Sequence, residues 1–157
     1  MALRQSVQIA QKLPTIAADG YEPIAIVGDY VTIAGNVIND VIEFAILPAG
    51  YVPVDAILAT EDVDSGGAPA MTLDLGLISG VAGLADNART CGNEAFAAST
   101  VAQTGGLARP TKANFAMIAP TDADRGIGIK VAAAAATLVV GAKMRLTVIA
   151  RPALNGA

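Results

Sequence analysis

Residues Lys143–Arg151 read KMRLTVIAR. Met144, Leu146, Val148 and Ala150 fall on one side, and Lys143, Arg145, Thr147 and Arg151 on the other. A repeat of two is the strand period, not the helix period, and one apolar face needs a second layer to cover it. Arg125–Val131 repeats the pattern, with Ile127, Ile129 and Val131 set against Gly126, Gly128 and Lys130. So does Met71–Ile78, where Met71, Leu73, Leu75 and Leu77 share a face.

Shorter strand signals fill the rest. They are Ile24–Val27, Tyr30–Ala34 after the Gly28-Asp29 turn or bulge signal, Asp40–Leu47, Val52–Thr60 and Phe115–Ala119. In Asp40–Leu47 the pattern puts Ile42, Phe44 and Ile46 on one face and Val41, Glu43 and Ala45 on the other. Pro48-Ala49-Gly50 and Thr121-Asp122-Ala123-Asp124 supply turn chemistry. The loop Glu61–Pro69 joins Val52–Thr60 to Met71–Ile78 as an expected hairpin. Asn93–Gln103 is the one expected helix, with Asn93 as cap, Glu94 in the first turn and Gly105 beyond the end; Ala98, Ser99 and Thr100 weaken it and leave a strand as the alternative. The run Ala132–Ala136 reads as a hairpin tip or a short turn of helix between β-like flanks.

About eight short strands with turn signals between them predict an all-β, antiparallel β-sandwich. A jelly roll fits that strand count. An immunoglobulin-like sandwich is the alternative, without its Cys…Trp…Cys signature. Residues 1–20 differ in texture: Leu3, Val7, Ile9 and Leu13 alternate with Gln5, Gln8, Gln11 and Lys12 before Pro14. They read as an N-terminal arm, with 21–157 as a single sandwich domain.

Composition narrows the chemistry. The chain of 157 residues has no histidine and one cysteine, which removes the commonest proton-transfer and metal-binding side chain. Charged residues make up 15% against 54% hydrophobic. That share is well under the roughly 25% of an average soluble domain, which fits a compact, alanine-rich domain or, as the sharper reading, a surface that packs on other chains. Net charge is −4 with no Lys/Arg run and few aromatics, so no nucleic-acid footprint is expected. Residues 1–5 do not resemble a signal core, and the apolar run 131–142 is shorter than the roughly 20 residues of a bilayer span.

Candidate sites are weak. Glu61, Asp62 and Asp64 could offer oxygen ligands to a hard cation, but a helix–loop–helix calcium loop fails where Gly66 and Leu73 stand. Turn geometry is the simpler role for loop 61–67. Asp122 and Asp124 beside Arg125 could suggest a glycosidase pair, without the aromatic platforms sugars require. Cys91 precedes the expected helix but has no histidine base to activate it. No serine-hydrolase elbow, phosphate loop or dinucleotide fingerprint occurs. The expectation is therefore a protein that is not an enzyme and has no cofactor or resident metal.

Three stretches resemble a known family. They are LPAGYVPVDAILATEDVDSGGAPAMTLDLGLISG (47–80), RTCGNEAFAASTVAQTGG (89–106) and IAPTDADRGIGIKVAAAAAT (118–137). Together they are similar to capsid cement (decoration) proteins of tailed bacteriophages, of the jelly-roll kind found on short-tailed phages. The resemblance implies a structural virion protein on the outer capsid surface, assembled in the host cytoplasm. It implies self-association as a dimer or trimer and contact with the major capsid protein, and it carries over no catalytic residue. Expected interface residues are Leu3, Val7 and Ile9 in the arm, the loop residues Tyr21 and Tyr51, and Arg89 and Arg109 in the connectors, since Arg and Tyr are favoured anchors. The alternative is a carbohydrate- or receptor-binding sandwich of a tail or fibre, which would need clustered exposed aromatics.

Overall fold

The computed structural model describes residues 3–5 and 22–153. Nine strands occur among them: β1 Leu3–Gln5, β2 Ile24–Val31, β3 Val41–Leu47, β4 Tyr51–Thr60, β5 Thr72–Ile78, β6 Phe96–Ser99, β7 Gly106–Ala108, β8 Arg125–Ala133 and β9 Lys143–Pro152. They form two sheets, ordered β1-β3-β8-β5-β6 and β2-β9-β4-β7. Every pairing is antiparallel except β1 with β3. The pairs β2–β9, β3–β8, β4–β7 and β5–β6 nest one inside the next. That nesting suits one long hairpin rolled over itself, an order compatible with a jelly roll.

The core lies where the two inner faces meet. In one sheet Ile26, Val148 and Ala56 form a cross-strand row, as do Tyr30, Met144 and Thr60. In the other, Ile42, Ile129 and Leu75 lie side by side. Phe44 meets the Tyr30 ring edge-on at 6.3 Å between centroids. The alternation read in β9 and β8 thus does the work expected of it. Truncating a buried leucine here, such as Leu146, costs about 2–5 kcal/mol.

Several local expectations give way to tertiary pairing. Ile24–Val31 is one continuous strand, and Ile33 and Ala34 belong to the following turn. A bulge between Glu43 and Ala45 shifts the register of β3. Ala45 then faces the core opposite Ile127, while Ile46 joins Glu43 on the outer side. The expected hairpin across Glu61–Pro69 is instead a crossover, because β4 and β5 lie in different sheets. The expected helix at 93–103 is strand β6 followed by one 3-10 turn, Val101–Gln103. Phe115–Ala119 is not a strand: a single helical turn, α1 (Ala113–Ala116), buries Phe115 against the core.

Candidate functional site

Both faces of β3 are buried, although only one faces the other sheet. The loop from Ser79 to Ala95 covers the other. Glu43 stands mid-strand on that outer face and is fully buried. Arg89 reaches down from the loop and grips it in a fork. Nη2 donates to Oε1 at 2.7 Å and Nη1 to Oε2 at 2.8 Å. Arg89 also donates from Nη1 to Leu84 O (2.8 Å) and from Nε to Ser79 O (2.7 Å). The Gly83 amide donates to Glu43 at 3.2 Å.

Glycines make room for this cover. A Cβ at Gly126 would fall on the Glu43 carboxylate and 2.8 Å from Arg89 Nη2. A Cβ at Gly76 would fall on the Glu94 carboxylate, which accepts the Leu77 amide at 3.0 Å. Gly126 and Gly76 thus leave the space this cover occupies, whereas a Cβ at Gly128 would fall on the Ile42 carbonyl of the adjacent strand β3.

This arrangement corrects one expected contact. Arg89 is only 2% exposed, and its guanidinium is engaged inside the chain, so it is not a surface anchor. A charge desolvated this far needs a bidentate partner and carbonyls, and it has both. Arg109 differs. Its side chain is 63% exposed and pairs with Asp55 at 2.7 Å on the outer face of the β2-β9-β4-β7 sheet. Tyr51 opens β4, half-buried against the core, and its carbonyl accepts Arg125 Nη2 at 3.3 Å. Leu3 lies in β1, paired in register with Val41. Val7, Ile9 and Tyr21 lie outside the described residues. Beside Leu3, Arg4 Nε stands 3.7 Å from Asp40, and Gln5 Nε2 donates to Gly83 O at 3.0 Å. Residues 3–5 thus form the edge strand of the five-stranded sheet, and Gln5 ties that edge to the loop that Arg89 holds.

The acidic loop turns its carboxylates toward backbone. Asp64 is completely buried and accepts four amides: Ala70 (2.7 Å), Met71 (2.9 Å), Ala136 (3.0 Å) and Thr137 (2.8 Å). Burial alone would raise its pKa. The four amides outweigh that and hold the carboxyl well below the usual range. The alanine run is therefore neither hairpin tip nor helix: Ala132 and Ala133 end β8, and the chain that follows wraps around an anion. Asp62 accepts the Asp64 amide, and Glu61 accepts the Lys143 amide. Among the described residues no group of three or more His, Cys, Asp or Glu is placed to hold a metal ion.

Asp124 accepts the Ala49 amide at 2.9 Å and remains exposed, while the neighbouring Arg125 turns to Tyr51 O rather than to the aspartates. Burial pushes the Cys91 thiol up to about 12, with the nearby Glu94 and Asp74 carboxylates adding to it. Such a thiol is not a nucleophile near neutral pH. Cys91 packs with Val41 and Ile78 in a small apolar cluster under the loop. Among the described residues no helix is long and apolar enough to cross a membrane.

No protein-family model matches the chain, and no curated protein does. Two solved structures do. One is from the cyanophage Pam1 capsid asymmetric unit, with a TM-score of 0.67 and 25% identity over 90% of this chain and 96% of that one. The other is from the capsid of Ralstonia phage GP4, with a TM-score of 0.92 and 40% identity over 98% of this chain and 100% of that one. With likeness of that degree along the whole of both sequences, this protein belongs to the family of the Ralstonia phage GP4 capsid chain.

Proposed function

We propose that this protein is a structural component of a phage virion that binds the outside of the capsid and stabilises contacts between major capsid protein subunits. The observation that carries the reading is the extent of the match to the Ralstonia phage GP4 capsid chain, which shares the entire sandwich and not one motif. The physical role is a brace. Each bridge between neighbouring subunits adds area that must separate before the shell opens, and many copies acting together make modest individual affinity sufficient. No reaction is part of this function: the polar groups best placed for chemistry, Glu43, Arg89 and Asp64, are engaged in holding loops.

The partners in this reading are the major capsid protein and further copies of the chain, as a dimer or trimer, at the capsid surface after assembly in the host cytoplasm. The proposed contacts are the arm residues Leu3, Val7 and Ile9, together with Tyr21, Tyr51 and Arg109. A receptor-binding sandwich has less support, because Tyr30, Phe44, Phe96 and Phe115 are buried and Tyr51 is half-buried.

The test is co-sedimentation of the purified chain with cognate shells assembled without it, followed by heating. Saturable binding and a higher disruption temperature are expected. Shells that neither retain the chain nor gain heat resistance would refute the proposal.

A further inference from the structure

One corner of the sandwich exposes no charged side chain in the two stretches that build it. It is built from the β2–β3 and β8–β9 connections, and neither 31–39 nor 131–142 contains Asp, Glu, Lys or Arg. Hydrogen bonds lock the two connections together: Thr32 Oγ1 donates to Val139 O (2.6 Å) and the Gly141 amide to Thr32 O (2.9 Å). The Asn36 amide bonds Ile33 O and the Asp40 amide bonds Val37 O, folding 33–40 into two consecutive turns. Held in this way, Val31, Ile33, Val37, Ile38 and Val140 stay 45%, 42%, 48%, 50% and 59% exposed. Charges stand at the margin, where Arg4 donates to Gly35 O and Lys143 lies opposite Val31, or inside, where the fully buried Asp40 carboxylate accepts the Val37 amide.

Five half-exposed β-branched residues on a rigid corner present about 400 Å² of apolar surface, the scale at which an exposed patch marks an interaction site. We infer that this corner is the surface that seats on the capsid shell, against an apolar and uncharged patch of the major capsid protein. The inference rests on the capsid reading above and adds where the contact is made. Two arguments select the occupant. A partner presenting charge would have it desolvated against a face with nothing to pair with it. The area is also about half of the roughly 800 Å² that each partner gives to a stable pairwise complex. A patch this small cannot hold a dimer in dilute solution, but it suffices on a lattice where many copies bind side by side.

The experiment uses the full chain and cognate shells lacking it. Val37→Asp/Ile38→Asp and Val140→Asp place charge on the corner at exposed positions, so folding is retained and checked by circular dichroism. Val54→Asp, at a 47% exposed residue of β4, is the control. Binding by the corner variants is expected to weaken roughly tenfold or more, with the control unchanged. Corner variants that bind like wild type would overturn the inference. So would variants that change oligomeric state by light scattering while still binding shells, because the corner would then be covered by a second copy. A wild-type chain that never binds would instead remove the capsid reading on which this rests.

Discussion

Replacing Asp64 with asparagine keeps the shape of the side chain and removes its charge. In the native chain Oδ2 receives the amides of Ala70, Met71 and Ala136, and Oδ1 that of Thr137. An asparagine must turn a donor NH2 toward at least one of these donors and serve the others with a neutral oxygen. Hydrogen bonds to an ionised acceptor contribute about 1.5–3 kcal/mol each, and an orphaned buried amide costs about 1–3 kcal/mol. Losing one bond and weakening three should therefore destabilise the fold by about 3–5 kcal/mol. For a domain of this size that lowers Tm by roughly 10 °C.

The effect has a pH signature. The folded-state pKa of Asp64 is depressed below its unfolded value, so its contribution is complete above the ordinary carboxylate range and is lost as acid is added. The gap between wild type and Asp64→Asn should be constant from about pH 7 to pH 5 and then narrow below about pH 4, by up to about 1.4 kcal/mol per pH unit. Urea denaturation followed by far-UV circular dichroism, at fixed protein concentration and stepped pH, measures that gap. A gap under about 1 kcal/mol at pH 7, or one that stays flat into acid, would refute the anion-staple argument.

Three further outcomes follow from the covered face of β3. Arg89→Met should cost about 3–5 kcal/mol by leaving Glu43 buried without its partner, and Glu43→Gln combined with it should recover much of the loss; urea titration of the double-mutant cycle measures this, and additive losses would contradict it. Gly126→Ala should destabilise by about 2–3 kcal/mol, because its methyl falls on the Glu43–Arg89 fork, whereas an exposed Gly67→Ala, with open space around it, should change little in thermal melts. Cys91 in the folded chain should react with an aromatic disulfide reagent at pH 8 roughly 100-fold more slowly than in urea; comparable rates would place the thiol at the surface.

How far the residues themselves disclosed this structure depends on distance along the chain. β5, β8 and β9 were plain from their period of two, because a strand with one buried face writes its environment into alternate positions. The helix expected at 93–103 had local caps in its favour, but its backbone groups are claimed from afar. The Ala95 amide donates to Leu75 O, its carbonyl accepts Thr111 and Lys112, and Asp74 takes the Ala98 amide, holding Ala98 at φ 51°. The crossover at 61–69 looked like a hairpin because turn residues mark a reversal without saying which sheet the chain enters next. Arg89 looked like a connector anchor because its partner lies 46 residues away. The usable signal was Glu43, a lone charge within the apolar strand VIEFAIL, set beside Gly126 and Gly128 of β8. Arg109 stands exposed and paired with Asp55, a partner 54 residues away that its own stretch does not name. The uncharged corner was visible as two charge-free stretches, but only folding brings them together.

The most direct test of the central claim is a cryo-electron reconstruction of the virion that carries this chain. The account predicts two-layered β density on the outer face of the shell, each copy seated by its β2–β3 and β8–β9 connections across adjoining major capsid subunits. A bare outer shell, with the chain found only at the tail or absent from the particle, would contradict it.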